Sequence, residues 1–224
     1  MDTHVLYDGL INYIFLVVII TFHEFGHAWC AWKCGDDTAR LQGRVTLNPI
    51  AHMDLVGTVI LPLLALSLAA SGSGLGRFII GWGKPVPVNI LALRRRKIDD
   101  ILVAMAGPAM NVLLAILATG LYQTGMFLKS EILMEAMLRL AVLSMFLCFF
   151  NLLPIPPLDG SHVMKYLVGM SYETFWRVSQ FGILIVLVAI QFEPVKRLLR
   201  ESTNLSVAWM LNISGSMARL FVPG

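Results

Sequence analysis

Charge is scarce in this sequence: of 224 residues only 14% are Asp, Glu, Lys or Arg, while 57% are hydrophobic. A soluble domain carries about a quarter charged and just under half apolar residues, so this chain cannot be solvated as an ordinary globule. The shortage excludes a cytosolic single-domain enzyme and a disordered interaction protein, and it assigns the chain to a membrane. Cysteine is scarce too. Cys30, Cys34 and Cys148 are an odd number in or beside apolar segments, which does not support the disulfide framework of a secreted module. No basic region opens the chain, and the first apolar segment carries too many polar side chains for a disposable leader, so no cleavable signal peptide is expected. Nor is there an internal repeat. Seventeen Lys and Arg stand against fourteen Asp and Glu, a net charge of +3, and nucleic acid is not an expected partner. At this length the chain holds several spans but no sizeable extra-membrane domain as well. One membrane-embedded domain over 1–224, with its core in 10–192, is the expected organisation.

A membrane-spanning helix needs roughly 20 mostly apolar residues. Ile11 to Trp32 meets this with Glu24 as its only formally charged residue, and Ile101 to Tyr122 contains no charge at all. Ile132 to Leu153 is interrupted only by Glu135 and Arg139. Leu55 to Ala70 is apolar but short and contains Pro62. Val178 to Phe192, approached by the amphipathic stretch Tyr172 to Arg177, makes a fifth candidate. Leu205 to Val222, interrupted by Asn212, Gly215 and Arg219, either crosses or lies in the interface. The expected fold is therefore an all-α polytopic membrane protein of about five to six transmembrane helices. Between the second and third spans, Ser71 to Gly74 reads as a turn, and Arg77 to Val88 reads as an extended or re-entrant β element because Pro85 and Pro87 in alternation exclude helix. Arg40 to Leu47 resembles another short strand.

The polar residues that remain are the informative ones. His23-Glu24-Phe25-Gly26-His27 lies inside the first span. On a helix, residues four apart share a face, so two imidazoles converge on one metal while the glutamate between them projects toward the attacking water. Zinc lowers the pKa of such a water toward 7 and a carboxylate can take its proton. A chance HExxH is common in soluble helices. Two histidines and a glutamate inside an apolar span are costly, and intramembrane ionisable groups are functional by default; the bland alternative is a polar packing face. A catalytic zinc needs a third protein ligand. The metzincin extension fails, because positions 30 and 33 hold Cys30 and Lys33, and no glutamate lies between Glu24 and Glu131. Cys30 shares the His27 face but stands about 10 Å along the helix from His23. Asp159 is the better candidate: it closes the proline-broken run Asn151 to Gly160 after the fourth span, and irregular backbone at membrane depth is tolerated only around a cavity or buried in protein. The alternative is an ordinary solvated aspartate at an interfacial helix stop. His52 and Asp54 suit capping better than catalysis, and His162 suits an interfacial position.

With the HEFGH motif in the first span, Gly107-Pro108-Ala109-Met110-Asn111 in the third and Asn151 to Gly160 after the fourth, the chain resembles the site-2 protease family of intramembrane zinc metalloproteases, over roughly Leu10 to Phe192. The resemblance implies one catalytic zinc held by His23, His27 and Asp159, with Glu24 as general base. It implies that Asn151 positions the substrate backbone or the oxyanion. Asn111 is a further substrate-binding candidate, with helix packing as its structural alternative. The implied reaction is hydrolysis of a peptide bond within or beside the membrane span of a protein substrate. Two rival readings use the same residues: a zinc hydrolase of lipidated substrates, and a non-catalytic zinc-binding adaptor or transporter, which would not need Glu24 beside its ligands.

His27 and Asp159 must lie at one depth if they share a metal, which requires an even number of crossings between them. Either Leu55 to Ala70 does not cross, or the chain returns through Arg77 to Val88, whose twelve residues reach about 40 Å when extended, against a hydrocarbon layer of roughly 30 Å. Either route brings Arg94 to Lys97 to the metal's side with Lys33, Arg40 and Arg44, so the positive-inside rule makes that side cytoplasmic; Lys196, Arg197 and Arg200 disagree. The location expected is a multi-pass integral protein, of the cytoplasmic membrane in a prokaryote. No PDZ-like or CBS-like domain fits the loops, so selection falls to the membrane core or to a regulatory membrane partner. In the extended segment, Pro85 and Pro87 leave one edge without donors while Lys84, Val86 and Val88 serve the other, which suits either addition of an unwound substrate strand or pairing with Arg40 to Leu47. If that edge clamps substrate at Val86, Val86→Pro lowers cleavage of a membrane reporter without changing thermal unfolding; full cleavage by a folded variant removes the clamp.

Overall fold

The computed structural model describes the backbone of residues 3–70 and 81–221 and the side chains of residues 6–69 and 81–216. The expected turn at Ser71 to Gly74, and the start of the expected strand at Arg77 to Ile80, lie outside the described residues. The regular structure of the described residues is helical, with no β-strand among them; residues 81–88 of the expected strand are irregular main chain, which the prolines at 85 and 87 keep out of any helix. Two compact units divide the chain, residues 1–96 and 97–224.

In the first unit, helix α1 spans Thr3–Lys33. It contains no proline, and its buried positions Ile19, Ile20, His23, His27 and Ala31 recur at helical spacing along one face. It stops at Gly35, whose φ of +107° lies in the left-handed region. The main-chain N–H of Gly35 donates to Trp32 O at 3.1 Å and that of Asp36 to Ala31 O at 3.0 Å, so the last carbonyls are satisfied by the turn itself. Lys33 Nζ sits 4.2 Å from the Trp32 ring centroid, the aromatic and basic grouping expected where a helix leaves hydrocarbon. Buried Asp36 then ties the turn to a distant segment by accepting from the main-chain N–H of Asn89 at 2.6 Å.

The stretch read as a second strand is not one: Thr38–Leu41 forms the short helix α2, followed by a turn with Gly43 at φ +68°. Its alternating polarity is that of one exposed helical turn and a loop, and four residues cannot separate the two periods. After a 3₁₀ turn at Pro49–Ala51, a π-helical turn at Leu55–Ile60 runs into α3, Leu61–Ala70. Asp54 caps this segment as expected, accepting from the main-chain N–H groups of Val56 at 3.0 Å and Gly57 at 2.7 Å.

In the second unit, α4 (Arg96–Phe127) and α5 (Glu131–Asn151) are joined by a short turn and capped by Ser130. These two and Leu6–Lys33 of α1 are the three described helices long and apolar enough to cross a membrane. After α5 the prolines at 154, 156 and 157 enforce irregular backbone, until α6 begins at Gly160 and runs to Leu167. The expected fifth span is divided: α7 (Tyr172–Gln180) and α8 (Gly182–Ala189) meet at Phe181. Gly182 is pressed against Pro156 O, where any side chain would clash, and a run of consecutive apolar residues does not disclose such a contact. The last candidate is likewise part of something longer, the continuous helix α9 (Glu193–Phe221), which packs on α5.

One polar cluster sets the position of α6. Buried Asp100 on α4 accepts from Lys165 Nζ at 2.9 Å, Tyr166 Oη at 2.9 Å and His162 Nδ1 at 3.0 Å. His162 therefore belongs to a partly buried polar cluster. Asp100→Ala, which leaves the buried Lys165 ammonium without its counter-charge, is expected to cost about 3–5 kcal/mol. Thermal unfolding in detergent measures it, and adding Lys165→Met should restore much of the loss.

Candidate metal centre

Helix α1 positions three of the predicted residues. One turn separates His23 from His27, so both imidazoles fall on the buried face, at 6% and 8% exposure. Their rings meet edge to face at 85°, and the two Nε2 atoms are 3.0 Å apart. Two nitrogens bound at about 2.0–2.1 Å to one tetrahedral zinc stand roughly 3.3 Å apart. The imidazole pair thus fits a single ion of the kind the motif implies. Glu24, half-buried, lies on the same turn.

The surroundings of Glu24 come from elsewhere in the first unit. A methyl group built on Gly83 would stand 3.5 Å from Glu24 Oε1 and 2.6 Å from Ile20 Cγ2, so the main chain of residues 81–89 passes beside the carboxylate. Trp82 and Lys84 are both engaged within the chain: their N–H groups donate to Gly57 O at 3.2 Å and His52 O at 2.9 Å. Thr58 Oγ1 donates to Trp82 O at 2.7 Å and Arg44 Nη2 donates to Lys84 O. The edge expected to be open is therefore taken at Lys84, by the main chain of His52 and by the side chain of Arg44 within Arg40 to Leu47, and Val86 is the first position of that parity beyond the taken stretch.

Arg44 and His52 are neighbours of Glu24 that the sequence suggested only as part of a basic flank and as a capping candidate. Both are buried, and both lie within electrostatic reach of Glu24. His52 Nε2 donates to Thr46 O at 2.8 Å. Burial holds the imidazole below its ordinary range, opposed by that hydrogen bond and by Glu24 and reinforced by the Arg44 charge. The signal available in the sequence was their polarity in a chain that can spare so little of it.

Asp159, Asn151 and Asn111 belong to the second unit. Asp159 is the residue immediately before α6, and its carboxylate makes no capping bond to that helix. Asn151 ends α5, with Nδ2 donating to Leu147 O at 3.0 Å. Asn111 is fully buried on α4; its main-chain oxygen accepts from Ser144 Oγ at 2.8 Å, while its side-chain amide has no hydrogen-bond partner among the described residues. Cys30 is half-buried, one helical turn past His27.

A paired-histidine HExxH turn on a helix of membrane-crossing length defines a membrane metalloprotease. The model of peptidase family M50 matches residues 11–133 and 120–192, and the chain belongs to that family. It is 32% identical over 199 residues to YwhC of Bacillus subtilis, provisionally named a zinc metalloprotease, with 84% of each chain covered. It is 29% identical to Rip2 of Mycolicibacterium smegmatis, covering 94% of this chain and 79% of the relative. Rip2 of Mycobacterium tuberculosis is 28% identical, with 93% and 75% covered; both Rip2 proteins carry the same provisional name. No solved structure matches.

A His52 imidazole held neutral contributes stability that is present above its ordinary value of about 6.5 and lost as pH falls below it, because the unfolded chain then binds the extra proton. The thermal midpoint should therefore drop between about pH 7.5 and pH 5.5, by less in His52→Asn than in the wild type. Equal slopes would show that other groups carry the change.

Proposed function

We propose that this chain is an intramembrane zinc metalloendopeptidase that hydrolyses a peptide bond within or next to the transmembrane segment of another membrane protein. The observation that supports this reading most is the His23, Glu24 and His27 turn on a membrane-length apolar helix of a family M50 chain. His23 and His27 would hold the ion, and Asp159, from the proline-broken stretch after α5, would be the third ligand. A zinc ion bound there supplies a Lewis acid that lowers the pKa of water toward 7 and polarises the scissile carbonyl.

The chain's own groups do the rest. Glu24 accepts a proton from the attacking water as its oxygen bonds to the carbonyl carbon, then delivers that proton to the amine nitrogen as the C–N bond breaks. Asn111 and Asn151 position the substrate backbone or the developing oxyanion; a buried amide with hydrogen-bonding capacity left over suits that task. Val86 offers main-chain groups to an extended substrate strand, since a helical substrate hides its scissile amide. About five to six membrane passages, with a re-entrant element around residues 77–88, would surround these groups with apolar side chains, and the basic residues near α1 and α4 orient the site to the cytoplasmic face. The partners are a transmembrane protein substrate, the bilayer and a regulatory membrane protein.

The test is cleavage of a reporter membrane segment by purified, zinc-restored protein. Glu24→Gln should retain zinc and lose activity by at least about three orders of magnitude, the range typical for an essential acid-base group together with its electrostatic role. Asp159→Asn should lower both zinc content and activity. Zinc bound without a difference between wild type and Glu24→Gln would leave an adaptor or transporter instead.

A further inference from the structure

Glu24 is flanked by main chain brought from far along the sequence, and that main chain must itself be held. At Gly83 the backbone passes close enough that an added methyl group would stand 3.5 Å from Glu24 Oε1. Four bonds seat this segment. Three involve residues 52–58: Trp82 N–H to Gly57 O, Thr58 Oγ1 to Trp82 O, and Lys84 N–H to His52 O. The fourth comes from the loop after α2, where Arg44 Nη2 donates to Lys84 O. Arg44 is only 3% exposed. Burying a guanidinium is costly unless it is hydrogen-bonded and answered by opposite charge, and the Lys84 carbonyl with Glu24 in electrostatic reach supplies both.

We infer that Arg44 is a positioning residue for Glu24: by gripping the Lys84 carbonyl it seats Gly83 against the carboxylate and limits the directions in which that carboxylate can turn. This rests on the reading of Glu24 as the base. Without Arg44 the segment keeps its bonds to residues 52–58 at Trp82 and at the Lys84 N–H, but the peptide unit between Lys84 and Pro85 loses the bond to its carbonyl, and with it the clamp on the C-terminal side of Gly83. The carboxylate then gains room to rotate away from the attacking water. Glycine at position 83 belongs to the same device, since any Cβ there would drive into Ile20 Cγ2 at 2.6 Å.

The experiment uses the full-length protein in detergent with zinc restored, and a membrane reporter segment that the wild type cleaves. Arg44→Gln is expected to lower kcat by on the order of 10- to 100-fold with KM little changed, the scale of a misplaced catalytic group. Hydrogen exchange at the Trp82 and Lys84 amides should quicken while exchange in α1 and the thermal midpoint hold. Arg44→Lys, which keeps for the Lys84 carbonyl a donor that also carries the positive charge facing Glu24, should recover most of kcat. Wild-type kinetics in Arg44→Gln would overturn the inference. So would a lowered thermal midpoint with faster exchange throughout the chain, which marks Arg44 as a general structural residue. Glu24→Gln separates the two layers: if it stays active, the base reading falls, whereas an inactive Glu24→Gln beside a fully active Arg44→Gln removes only the role of Arg44.

Discussion

Polar groups carried on a membrane-length apolar helix must be answered from the sides, because hydrocarbon offers them no hydrogen bonds and little dielectric screening. Helix α1 obeys this constraint with His23, Glu24 and His27 on a single turn. Each imidazole turns its Nε2 to the other, and Glu24 is met by the backbone at Gly83 and by the charge field of Arg44 and His52. The loops after α1 are shaped by that demand. Residues 36–58 and 81–94 interlace through Asp36 with Asn89, Arg44 with Lys84, and His52 with Lys84, so a stretch with little regular structure is nevertheless specified bond by bond.

The second unit solves a related problem with a different device. Asp100, at the head of α4, collects three donors from α6. A carboxylate with three donors is fully compensated, which makes burial tolerable and geometry definite. The effect is local and mechanical: α6 is tethered to α4 by its own first and second turns, and Asp159 is the residue from which α6 departs. The close contacts of Gly160 with Leu152 O and of Gly182 with Pro156 O keep the proline-rich stretch compact around it.

Much of this was legible in the sequence because the composition leaves so few polar residues to explain. The three long spans follow from apolar length alone, since twenty consecutive apolar residues have no soluble use, and the histidine pair follows from the period of the helix. Asp54 was readable as a cap because capping chemistry is local. What escaped was whatever depends on residues distant in sequence. Arg40 to Leu47 looked like a strand because only its first two residues belong to a helix and the other six are loop, so no helical period shows in it. Val178 to Phe192 looked continuous because the contact between Gly182 and Pro156 joins residues 26 positions apart. The partner of His162, Asp100, could not be named because it lies 62 residues earlier. Arg44 and His52 carried the right signal, polarity where it is expensive, but nothing local tells which distant carbonyl or carboxylate would receive them.

The two prolines at 85 and 87 have a consequence for how copies of this chain behave when crowded in a bilayer. A main-chain edge that offers hydrogen bonds can recruit a neighbour's edge as readily as an intended guest, and repeated recruitment builds sheets. Here the residues of one parity are already bonded at Trp82 and Lys84, and those of the other parity lack N–H groups at both prolines. A segment so engaged cannot relay pairing through to a third chain. Pairing along it stops at one layer, which makes it a poor seed for aggregation.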